Sequence, residues 1–186
     1  MLESTYSVIE HRELGHLKID DALLGGKRLQ VSALNWAENG YKTLDLSKNG
    51  IDDASFLKIL ELIEKNEGVK KIKRLKLGHN PKISKLGYEK LGAMITEGRF
   101  KNLEELDLQG NLMGDNAASI IIDALLAQRK LKLLDLSQNR ISDRLSMRIA
   151  DMLVVLKSLE NLFLKWNHLS KGVKHISAAL LENTTL

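Results

Sequence analysis

Tyr41-Lys42-Thr43-Leu44-Asp45-Leu46-Ser47-Lys48-Asn49-Gly50-Ile51 is a phrase that this chain repeats. It returns as Ile72…Leu75-Lys76-Leu77…Asn80, as Leu103…Leu106-Asp107-Leu108…Asn111, as Leu131…Leu134-Asp135-Leu136…Asn139 and as Leu159…Leu162-Phe163-Leu164…Asn167. The five asparagines are 31, 31, 28 and 28 residues apart. A period of this size, carried by fixed leucines and a fixed asparagine, builds a stack of units rather than a closed globule.

Within each phrase, Leu-x-Leu alternates with period 2, which predicts a short strand with one buried face. Stacked units would then form a parallel sheet with a continuous leucine spine, each buried leucine contributing roughly 1.5–3 kcal/mol. The asparagine stands where the chain must turn. Its amide can satisfy backbone groups that the turn leaves unpaired, so Asn49, Asn80, Asn111, Asn139 and Asn167 are expected to form a structural ladder. Between the strands, apolar residues fall at helical spacing: Phe56, Leu57, Leu60 and Ile63 in 53–66, then Ala118, Ile121, Ile122 and Leu125 in 115–128. Residues 143–157 carry Leu145, Ile149, Met152 and Leu156 in the same way. Asp53, Ser84, Asp115, Asp143 and Ser170 are expected as helix caps. Strands about 4.8 Å apart pack closer than helices can, so the stack should curve with the sheet concave and the helices convex.

The 186 residues suffice for one domain with a continuous core, and the net charge of +4 is too small to imply nucleic acid. There is no cysteine, which excludes disulfides, zinc–thiolate sites and thiol nucleophiles and favours a reducing setting. The N-terminal MLESTYSVIEHRELGH is charged where a signal peptide needs an apolar run, and no stretch reaches the roughly 20 apolar residues of a membrane span. A soluble, cytoplasmic protein without membrane insertion is expected.

The phrase Leu-x-x-Leu-x-Leu-x-x-Asn-x-Ile/Leu, with an aspartate four residues past the asparagine, resembles the ribonuclease-inhibitor-type leucine-rich repeat. Asn49-Gly50-Ile51-Asp52-Asp53-Ala54, Asn111-Leu112-Met113-Gly114-Asp115 and Asn139-Arg140-Ile141-Ser142-Asp143 carry the resemblance, which covers about residues 41–186. It implies an α/β fold: a curved, right-handed solenoid with a parallel β-sheet on its concave face and helices on its convex face. The ribonuclease inhibitor is cysteine-rich, and this chain departs from it there. Residues 1–40 read as a degenerate N-terminal repeat or cap, with Leu14-Gly15-His16-Leu17-Lys18-Ile19 as a worn phrase. A helix is expected near 27–38 with Trp36 packed in the core, ended by a left-handed turn at Asn39-Gly40. Residues 41–186 hold five repeats and, at Leu186, the start of a sixth.

In this family the concave face is formed by the residues beside the strand leucines. The middle positions are Asp45, Lys76, Asp107, Asp135 and Phe163; two residues earlier come Thr43, Arg74, Glu105, Leu133 and Asn161; two later, Ser47, Gly78, Gln109, Ser137 and Lys165. Neighbours in a row should be lateral neighbours on adjacent strands. Arg74 then faces Glu105, and Lys76 lies between Asp45 and Asp107, so the basic run 70–76 is partly answered across the ladder and reads first as a solvated face. Leu133, Phe163 and Trp166 are apolar where other repeats are polar, in a chain with three Phe and two Trp. Two readings of the aromatic pair stay open: an anchor for a partner or for self-association through the C-terminal edge, and packing beneath a further C-terminal unit.

No enzymatic constellation emerges. His11, His16, His79, His168 and His175 lack metal-ligand spacing, and Gly25-Gly26-Lys27-Arg28 lacks the Ser or Thr of a phosphate loop. Asp107 and Asp135 are adjacent like charges but have only Gln109 and Ser137 beside them. No catalytic, cofactor or metal site is expected. The reading is a non-enzymatic protein-binding module whose concave residues Arg74, Lys76, Glu105, Asp107 and Asp135 set charge complementarity, with Leu133, Phe163 and Trp166 apolar. The alternative is a regulatory repeat segment of a larger intracellular protein: a nucleotide-binding leucine-rich-repeat sensor, a Ran GTPase-activating-like protein or a bacterial effector. Nucleic acid is not an expected partner.

Overall fold

Five three-residue strands recur, each followed by a helix, in a computed structural model that describes residues 41–186 together with the backbone of two short N-terminal strands, 8–11 and 16–19. In chain order the strands are β1 (Val8–His11), β2 (His16–Ile19), β3 (Thr43–Asp45), β4 (Arg74–Lys76), β5 (Glu105–Asp107), β6 (Leu133–Asp135) and β7 (Asn161–Phe163). The helices are α1 (Asp53–Glu64), α2 (Lys85–Thr96), α3 (Asp115–Leu125), α4 (Ser146–Val155) and α5 (Val173–Glu182), and 3-10 turns cover Glu67–Lys71 and Asp143–Leu145. The strands lie in chain order in one sheet, parallel from β2 to β7, with β1 antiparallel to β2 at one edge. Leu17 lies opposite Leu44. The expected helix near 27–38, Trp36, the Asn39-Gly40 turn and the Gly25–Arg28 segment fall outside the described residues.

The expected rows are the observed register. Leu44, Leu75, Leu106, Leu134 and Leu162 are successive partners, and the first four are at most 2% exposed. The helices close the other side of this spine with Phe56, Ile59, Leu60 and Ile63 from α1, Ile121, Ile122 and Leu125 from α3, and Ile149, Met152 and Leu153 from α4. Leu57 is only half-buried, because Ile59 takes the inward position on α1. Gly87 on α2 lets that helix approach α1: a Cβ there would stand 2.9 Å from a ring carbon of Phe56. Among the described residues, no helix is long and apolar enough to cross a membrane.

The asparagine ladder is built as expected. The Asn80 side-chain oxygen accepts from the N–H groups of Asn49 and Ile51, both at 3.1 Å, and its amide nitrogen donates to the carbonyls of Leu46 and Leu77. Asn139 repeats the pattern on Asn111, Met113, Leu108 and Leu136. Asn111 accepts from Asn80 N–H at 2.6 Å, but its amide nitrogen meets no carbonyl and lies beside the buried Tyr88 hydroxyl. Burial pushes that phenol far above its ordinary pKa.

The helix caps require a correction. Ser84 caps α2 as expected, but α1 is capped by Asp52, α3 begins after Gly114, and α5 begins after Gly172 rather than at Ser170. The following aspartates reach across to the next repeat instead. Asp53 accepts from the N–H and hydroxyl of Ser84, and Asp115 from those of Ser142 at 2.7 and 2.6 Å. Asp143 accepts from the N–H groups of Ser170, Lys171 and Gly172. Where the aspartate is replaced by Lys85, the next unit has Gly114 in place of the serine. The aspartate therefore joins units rather than starting a helix.

Candidate functional site

The period-2 pleat that buries the leucines turns the residues between them to the opposite face of the sheet. The structure brings the expected residues together there in two adjacent rows. Thr43, Arg74, Glu105, Leu133 and Asn161 are successive partners, as are Asp45, Lys76, Asp107, Asp135 and Phe163. Arg74, Lys76, Glu105, Leu133, Asp107 and Asp135 are all half-buried by their neighbours.

Arg74 does not form the ion pair anticipated with Glu105. Its Nε donates to the Thr43 hydroxyl at 2.7 Å, on the other neighbouring strand. The middle row carries three carboxylates against one lysine, and each carboxylate also serves its own turn. Asp45, Asp107 and Asp135 accept from the N–H groups of Ser47, Gln109 and Ser137 at 3.0, 2.9 and 2.8 Å. Burial pushes the Asp107 carboxyl above its ordinary range; the Gln109 N–H opposes this, while the charges of Asp135 and Asp45 reinforce it and Lys76 opposes it. With the folded value above the unfolded one, the native state binds this proton more tightly, and ionised Asp107 costs stability as pH rises through that interval. The row thus holds an incompletely compensated negative charge on an open face. Among the described residues, no three His, Asp or Glu side chains converge as metal ligands.

A further row closes the strands at their C-terminal ends. Lys48, His79, Gly110, Gln138 and Trp166, each preceding the ladder asparagine, all have φ between 55° and 69°. Their left-handed backbone turns the N–H toward the next repeat: Lys48, His79, Gly110 and Gln138 donate to the carbonyls of Gly78, Gln109, Ser137 and Lys165. His79 lies over Gly110, where a Cβ would come within 2.5 Å of its Nδ1. Gly110→Ala is expected to cost about 1–2 kcal/mol, combining left-handed strain and this collision. Chemical denaturation should show that His79→Ala relieves the steric part only, so the double variant loses less than the sum of the singles.

Trp166 occupies this position in the last repeat and is 80% exposed, while Phe163 on the edge strand is 37% exposed. Beyond β7 the described sheet has no further strand. Among the described residues, Ser146 and His175 form a nucleophile-like contact, with Oγ 3.1 Å from Nδ1. The buried Ser146 hydroxyl also donates to the Asp143 carbonyl at 2.7 Å, so this contact ties α5 to the preceding repeat.

A family profile described as "Leucine Rich repeat" matches residues 42–61, 101–119 and 127–144. No curated protein sequence matches the chain. Among solved structures, the actin-binding site 2 (ABS2) of leiomodin-1 aligns with a TM-score of 0.64 at 19% identity, covering 81% of this chain and 87% of that one. The tropomodulin C-terminal domain of Caenorhabditis elegans aligns with a TM-score of 0.61 at 13% identity, covering 83% and 92%. At these identities the likeness is one of fold: the chain is an α/β leucine-rich-repeat solenoid.

Proposed function

We propose that this domain is a non-enzymatic protein-binding module that grips its partner on the concave sheet. The observation that carries the reading is the row Asp45–Lys76–Asp107–Asp135–Phe163, an acidic strip that ends in an exposed aromatic. A partner with a basic group opposite Asp107 and Asp135, and an apolar socket for Phe163 and Trp166, fits this surface. Arg74, Lys76 and Glu105 set the charge pattern around the strip, and Leu133 extends its apolar end. In this reading residues 1–40 are a degenerate N-terminal repeat or cap, the repeats are of the ribonuclease-inhibitor-like type, and the setting is the cytoplasm. The fold shared with an actin-binding region of leiomodin-1 makes actin the first partner to measure.

The test is Asp107→Asn with Asp135→Asn. Asparagine keeps the side-chain oxygen that each turn uses and removes only the charge. Co-sedimentation with actin, or capture of another partner from cytosol, should weaken about tenfold or more, while thermal stability holds or rises. Unchanged capture by the double variant would remove the concave strip as the binding surface.

A further inference from the structure

We propose that the edge of the solenoid where helices return to strands is a second docking surface, fitted to an acidic polypeptide segment. Two residues before the first apolar residue of the second to fifth phrases stand Lys70, Lys101, Arg129 and Lys157, one cation for each of these four repeats. Hydrogen bonds hold these turns in register. The Asn102 amide donates to the Lys70 carbonyl at 2.7 Å, Lys130 Nζ to Asn102 Oδ1 at 2.6 Å, and the Ser158 hydroxyl to the Leu131 carbonyl at 2.8 Å. The fold therefore stacks the backbone positions that carry the cations.

Nearby carboxylates are already engaged. Lys73 holds Glu104 at 2.5 Å, Lys132 holds Glu160 at 2.9 Å, and Lys70 holds Glu67. Among the described residues Lys101, Arg129 and Lys157 form no ion pair, although the charge of Lys101 reaches the Glu67 carboxylate. Arg129, Lys130, Lys132 and Lys157 border an open cleft of about 480 Å³, together with Glu104 and Glu160, which are already paired with lysines. The turns 97–104, 126–132 and 156–160 hold six cations against three carboxylates, which accounts for most of the chain's net charge of +4.

The geometry favours a polypeptide over nucleic acid. The return turns are spaced between the sheet's roughly 4.8 Å and the helices' roughly 8–10 Å. Alternate residues of an extended peptide, about 6.6 Å apart, can place a carboxylate at each step. No aromatic ring borders the cleft to stack a base. This surface is separate from the concave sheet and has the opposite charge.

The experiment titrates a fluorescently labelled alternating Glu-Ser peptide into the full chain, followed by anisotropy at low and physiological salt. Lys101→Glu with Arg129→Glu and Lys157→Glu should weaken binding at least about tenfold. A variant of equal net charge, Lys58→Glu with Arg144→Glu and Lys174→Glu, should retain it, as should Asp107→Asn. Equal losses in the two triple variants would overturn the proposal in favour of net charge alone. An oligonucleotide or an anionic phosphatidylserine vesicle that binds tighter than the peptide, and is lost on the edge variant, would also overturn it. Thermal unfolding is run on each protein, and Lys101→Gln with Lys157→Gln supplies the same reading if the reversal disturbs folding.

Discussion

Asn139→Ala is expected to lower the stability of the domain by about 3–5 kcal/mol, among the largest losses from a single polar side chain here and matched by Asn80, which makes the equivalent bonds. The residue is 4% exposed and sits between repeats 3 and 4. Truncation leaves two buried N–H groups, those of Asn111 and Met113, without the oxygen they meet at 3.2 and 2.9 Å. The carbonyls of Leu108, Leu136 and Ser137 lose their common donor. An unsatisfied buried group costs about 1–3 kcal/mol, so two donors alone reach the lower part of the range. Asn139→Asp should fare no better, because a carboxylate would face those three carbonyls. Asn167→Ala should cost only about 1 kcal/mol: it accepts from Ile141 N–H alone and donates to the carbonyls of Leu136 and Leu164, and it does so in a half-buried site where water can replace it. Urea denaturation separates the cases. Equal losses at the two positions would sink the argument that buried bonds which water cannot replace set the cost. A fall in the m-value of the Asn139 variant would show that the array splits at that junction instead of unfolding as one.

The same ladder explains why so much of this fold was legible in the sequence. Leu-x-Leu and the asparagine act through local rules, a two-residue pleat and a turn, so aligning five phrases aligned five strands. Register followed because a one-residue slip would expose every leucine. Choices between equivalent neighbours were not legible. Arg74 lies between Thr43 and Glu105 on flanking strands, and nothing along the chain states which it will bond. Asp53, Asp115 and Asp143 carry the residue type of a helix cap, but their partners are 27 to 31 residues away across a repeat boundary. The cations at 101, 129 and 157 were missed for a different reason. They lie outside the phrase, and their pattern emerges only when the return turns are aligned as carefully as the strands.

The aromatic pair at the C-terminal edge supports a prediction as large as the first, in binding rather than stability. Phe163→Ala with Trp166→Ala is expected to weaken partner capture by about 2–4 kcal/mol, some 30- to 1,000-fold, while the unfolding midpoint barely moves. Stability should be spared because little packing is lost: Trp166 is 80% exposed and Phe163 is 37% exposed. Substitutions at such positions usually stay within about ±0.5 kcal/mol. The backbone argues for attachment at this edge. At Lys48, His79, Gly110 and Gln138 the left-handed residue donates its N–H to the following repeat, and Trp166 ends that series with the same φ. His79 shows where a ring at this position leans, over the repeat beyond it. Trp166 thus presents a large apolar ring past β7, beside the half-buried Leu162 and Leu164. Ring and edge together offer a partner both apolar area and strand hydrogen bonds. The measurement pairs a capture assay with thermal unfolding on the same double variant. A destabilised or aggregating variant with unchanged affinity for its partner would instead assign the two rings to covering the end of the solenoid.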